Sequence, residues 1–121
     1  MKTLILAVLP TAALLVSAPA AAQFNTVNDP APGYSSLLGA NYANAEREIR
    51  AANVSQYDPA RSINLGIALA KQGRANEAAA EFNGVLMEEN VEMVVADGRT
   101  VMSHDLARKA LDALHNGVLS R

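Results

Sequence analysis

The chain has no cysteine, no tryptophan and two phenylalanines among 121 residues, and Lys2 is the only charge before Asp29. Each absence excludes something. Without cysteine there is no disulfide framework, no thiolate metal site and no lipid-modified cysteine. With two phenylalanines and no tryptophan, stability must come from helix packing. Ten Lys and Arg against twelve Asp and Glu leave no basic excess for nucleic acid or anionic lipid.

What the N-terminus does have is a leader pattern. Lys2 precedes an apolar run from Leu4 to Val16, broken only by Pro10 and Thr11, and Ala20-Ala21-Ala22 stands before Gln23. A basic start, a short apolar segment and small residues at the end predict a secretory signal over residues 1–22, cleaved after Ala22. The run is shorter than the ~20 residues a spanning helix needs, and Pro10 and Pro19 would break it. The alanine-rich leader looks bacterial, and the expected location is periplasmic or secreted, with no stable membrane anchor after cleavage. Lys2 leaves with the leader, so the remaining 99 residues carry a net charge of −3. That is one small domain, stabilised by helix packing and by association.

Residues 23–34 begin QFNTVNDPAPG, with two prolines and no helical period, and read as a flexible linker. From Ser35 the pattern turns helical. Asp58-Pro59 marks a helix start, because aspartate caps free amide groups and proline is tolerated in the first turn. That helix is expected to end near Gln72, with Gly73 as the left-handed residue after it. Ile63 and Ile67 form one apolar stripe and Leu65 and Leu69 another, so the helix is sandwiched between neighbours. Its partner, from about Ala75 to Met87, turns Ala78, Phe82, Val85 and Leu86 inward, with Glu77 and Glu81 solvated. After Asn90 the period becomes two, and Asp97-Gly98 interrupts it. A hairpin over 91–102 is expected, with both turn residues at positive φ. Ser103 is then read as the cap of a tail helix, 103–116, burying Leu106, Ala107, Ala110, Leu111 and Leu114, with Gly117 ending it.

Within Ser62–Phe82, Leu65-Gly66 lies ahead of Ala78, and Phe82 follows Ala78 by four residues. This resembles the tetratricopeptide repeat (TPR), matching the middle of its L-G…A-x3-F pattern over about a quarter of the chain, on a repeat of ~34 residues. Ser62 stands at the family's aromatic position, Leu69 at its tyrosine and Asn90 at its closing proline. Shifting the chain by 33 residues lays Ala40 on Gly73, Ala45 on Ala78, Glu48 on Glu81 and Ile49 on Phe82. Asn41–Ala52 therefore reads as the second helix of a preceding repeat whose first helix falls in the linker. The expected fold is mostly α: a TPR-like helix-turn-helix of about one and a half repeats, then a β-hairpin and a C-terminal helix.

No constellation in the sequence points to chemistry. His104-Asp105 are neighbours at a helix start, where side chains diverge, and Ser103 is explained as a cap. The two histidines lie eleven residues apart without metal-ligand spacing, and Glu88-Glu89 reads as a solvated helix exit. The turn at Gly73-Arg74 lacks the glycines of a phosphate loop. A non-enzyme without cofactor is expected.

The resemblance implies a protein-interaction scaffold whose ligand lies along the first helix of the repeat. Carried over by position, that face is Ala60, Ile63, Asn64, Ile67 and Lys71. Only Asn64 and Lys71 could hold a peptide carboxylate, so an apolar segment docking on Ile63 and Ile67 is expected instead. The partner is a protein or peptide; the alternative is a homo-oligomeric structural subunit of an envelope assembly. A third class, an enzyme or metal protein using His104 and His115, ranks last.

Overall fold

In the computed structural model, residues 16–19 and 31–119 are described. They form β1 (Val16–Pro19), α1 (Tyr34–Leu38), α2 (Tyr42–Ala51), α3 (Pro59–Lys71), α4 (Ala75–Met87), β2 (Glu92–Val95), β3 (Thr100–Met102) and α5 (Ser103–His115). The fold is mostly α, with a hairpin and then a C-terminal helix, as expected. Most of the expected leader, residues 1–15 and 20–22, lies outside the described residues, as do residues 23–30 of the expected linker.

α3 is the axis of the domain. The Asp58 carboxylate accepts a hydrogen bond from Arg61 N at 2.9 Å, and Pro59 opens the helix. Burial pushes the Asp58 carboxyl up, while the Arg61 amide and charge act the other way. Gly73, at φ 81°, takes the left-handed turn into α4. Every residue from Ser62 to Ala70 is buried, so both apolar stripes find neighbours. Those neighbours are chiefly α4 and α2, with β1, α5 and α1 also alongside.

The 33-residue offset is present in three dimensions. α2 starts at Tyr42 and α4 at Ala75, and Ala40, at φ 58°, makes the left-handed turn that Gly73 makes. Ala45 and Ile49 are fully buried, as are Ala78 and Phe82. The close approach repeats as well: a Cβ on Gly33 would meet Ile49 Cγ1 at 2.6 Å, and one on Gly66 would meet Phe82 Cζ at 2.7 Å. α1 thus stands where the end of α3 stands one period later, and the missing first helix is present as one turn. This changes the reading of the linker's end. Ala31, Gly33 and Tyr34 are buried parts of the core, because the crossing with Ile49 needs them.

The hairpin turns on three residues, not two. Val95 N donates to Arg99 O at 3.0 Å and Gly98 N to Val95 O at 2.9 Å, leaving Ala96-Asp97-Gly98 as the loop. Only Gly98 of these has positive φ, at 87°. A turn followed by one left-handed glycine explains the pattern, and Asp97 needs no special backbone. The Asp97 carboxylate accepts from Arg99 N at 3.1 Å and from its guanidinium at 2.7 Å.

The start of α5 also differs from the expectation. Ser103 is the first helical residue, fully buried, and its Oγ accepts from Val91 N at 2.9 Å. The cap comes from elsewhere: Asn90 Oδ1 accepts from His104 N at 3.0 Å. One asparagine and one serine therefore tie the entry of the hairpin to the helix that follows it. The sheet has the order β1-β2-β3, so β2 is central and β1 covers its second edge.

Candidate functional site

The face carried over from the family resemblance is closed. Ala60, Ile63 and Asn64 are wholly buried and Ile67 nearly so; Asn64 is not without a partner. Only Lys71 reaches the surface, and partial burial pulls its ammonium below the usual lysine range. No peptide can reach Ile63 and Ile67 in this conformation. In this conformation α3 packs against α1, α2, α4, α5 and β1, so the docking expected on those side chains has no open surface here.

An open concavity lies elsewhere among the described residues. A cleft of about 440 Å³ is bounded by Arg50 at the end of α2, by Gln56 and Tyr57 in the α2–α3 connection, and by Arg61 and Ser62 of α3. Ala80, Glu81 and Gly84 of α4, with Glu88 beyond it, form the opposite wall. Tyr57 is 62 % exposed, an amphipathic ring held at the rim. Met87, 84 % exposed, lies one position before Glu88 in the chain. The charges divide by element: arginines come from the α2 and α3 wall, glutamates from the α4 wall.

Gly84 is the unexpected member. It stands inside α4, where glycine costs about 1 kcal/mol relative to alanine. A Cβ there would meet nothing within 4 Å among the described residues, so packing does not demand the glycine. The contrast with Gly66, where Phe82 leaves no room, is direct. The sequence held this signal, a helix-interior glycine on the face away from Ala78 and Phe82, but nothing placed Tyr57 and Arg61 opposite it.

Beside the cleft, the two repeated helices are clamped by charge. Glu46 of α2 receives Arg74 Nη1 at 2.7 Å, Arg50 Nε at 2.9 Å and Gln72 Nε2 at 3.1 Å. Burial alone would raise the Glu46 carboxyl, but these hydrogen bonds and the Arg74 charge outweigh it and hold it below the usual glutamate range. Arg74 also binds Glu77 at 2.7 Å, so Glu77 is exposed yet paired. Arg50 is thereby oriented at the cleft's edge.

The remaining sequence candidates fall apart spatially or into structure. His104 Nε2 sits 2.7 Å from Glu88 O, and Ser103 is spent on Val91. Among the described residues, no three His, Asp or Glu side chains are grouped to hold a metal ion, and no helix is long and apolar enough to cross a membrane. Comparison with protein-family models, with curated proteins and with solved structures finds no match.

Proposed function

We propose that the chain is an exported, non-enzymatic protein-interaction module of TPR-like build, processed after Ala22, which engages a protein or peptide partner through the Tyr57–Gly84 cleft. The observation that carries the reading is Gly84: an interior helix glycine that packing does not need, in the wall of a cleft that an exposed tyrosine also lines. A helix without a side chain at that point lets a partner's backbone come close, while Tyr57 supplies an anchor and the arginines and glutamates supply direction. The consecutive packing of α2, α3, α4 and α5, with the 33-residue recurrence, supports a repeat scaffold.

The test is site-specific photo-crosslinking in native cells, with a benzophenone side chain at position 57 and a control at Lys109 on the exposed side of α5. A defined heterologous adduct from position 57 and none from 109 supports the module. Adducts of the chain with itself alone transfer the reading to a self-associating subunit, which the edge position of β3 favours. Equal adducts from both positions refute the cleft.

A further inference from the structure

β1 sits where a ligand strand would sit. Val95 gives its N–H to Arg99 on the β3 side, so alternation turns the backbone groups of Val94 to the other edge, opposite Ala18. The next pair, Pro19 opposite Met93, faces away from that edge's ladder, which is where a residue without N–H is tolerated. The ladder slips between Val16 and Ala18. β1 also lies against α3, so it occupies a trough between the β2 edge and that helix. Met93, Val94 and Val95 are all fully buried. Yet the segment is Val-Ser-Ala-Pro, part of the stretch that the leader reading removes.

We infer that removal of residues 1–22 opens this trough as a strand-accepting site, which takes an extended, uncharged peptide segment of a partner protein antiparallel to β2. The inference rests on the leader reading and is independent of the Tyr57 cleft. The occupant follows the backbone course of β1, and its lack of charge follows the sequence, which has no charge from Thr3 to Asn28. Affinity comes from the Val94 backbone pair. An empty β2 edge would otherwise be an exposed apolar edge strand, which folded proteins cover.

The experiment uses the full chain with a protease recognition sequence inserted after Ala22, folded first and cut afterwards. A fluorescent peptide of residues 14–21 is titrated into the cut and uncut forms by anisotropy, beside the same peptide N-methylated at Ala18 and another carrying Ala18→Asp. Binding to the cut form only, weakened about tenfold or more by N-methylation, is the expected result; tenfold corresponds to about 1.4 kcal/mol, one backbone hydrogen bond. A cut chain that stays helical but does not bind, or that binds the N-methylated peptide equally, overturns the site. So does a cut chain that unfolds, which makes β1 a permanent strand, and so does dimerisation in sedimentation without peptide uptake. The intact mass of the chain from native cells decides the leader separately: retention of residues 1–22 removes the premise while the titration still reports on the trough.

Discussion

Alanine at position 66 and alanine at position 84 are the same chemical change in neighbouring helices, and the structure assigns them opposite signs. At Gly66 the new methyl would lie 2.7 Å from Phe82 Cζ and 2.8 Å from Cδ1, with Cε1 nearer still. Phe82 is fully buried, so its ring has no solvent to retreat into. Overpacking of that kind costs about 1–3 kcal/mol, against a helix-propensity gain of about 1 kcal/mol. Gly66→Ala is therefore expected to destabilise by up to about 2 kcal/mol, which for a domain of this size lowers Tm by up to about 15 °C. Gly84→Ala meets nothing, keeps the propensity gain and raises Tm by a few degrees. The assay is thermal and urea unfolding followed by circular dichroism. Phe82→Leu combined with Gly66→Ala completes a double-mutant cycle whose coupling, about 0.5–3 kcal/mol, belongs to the pair in contact. A Gly66→Ala variant as stable as Gly84→Ala would refute the α3–α4 crossing, and with it the structural argument for the repeat.

Tyr34 is buried with its hydroxyl lacking a hydrogen-bond partner among the described residues, and burial pushes its pKa up to about 12. Tyr34→Phe should raise stability by about 1 kcal/mol, read as a higher urea midpoint; a loss would reveal a partner for the hydroxyl. Ser103→Ala leaves Val91 N–H without its acceptor and is expected to cost about 1–3 kcal/mol, whereas an unchanged Tm would mean the hairpin does not depend on that bond. The Glu46 carboxyl is held below its unfolded range of about 4.3. Its contribution is thus complete above that range and lost as pH falls through the lower folded value. Glu46→Gln should flatten the fall of stability between neutral and acid pH, and an unaltered slope would show the clamp to be energetically idle.

Local signals carried the sequence reading where they sufficed. Asp58-Pro59 and Gly73 bound α3, Phe82 marks its partner, and the offset from Ala40 to Gly73 announced a recurrence that the backbone repeats. What escaped depends on groups distant in the chain. Ser103 looks like a cap, but the cap is Asn90, thirteen residues earlier and across the hairpin. α1 hid behind the prolines because its case is made by Ile49, which needs Gly33 beside it. Ile63 and Ile67 read equally as core and as binding surface, since periodicity shows which residues share a face and not what covers it. β1 was illegible for a stronger reason: an apolar run with a basic start satisfies the leader pattern whatever else it pairs with. The cleft needed Tyr57, Arg61 and Gly84 from two helices and a connection, and no spacing rule joins them.

The most direct test of the proposed role is the affinity of the partner crosslinked at position 57 for the wild-type chain and for Gly84→Leu. The account predicts binding at least tenfold weaker for the variant, with a Tm close to wild type, because a side chain there intrudes on the cleft while its Cβ meets no neighbour. Unchanged affinity in a folded Gly84→Leu protein would contradict it.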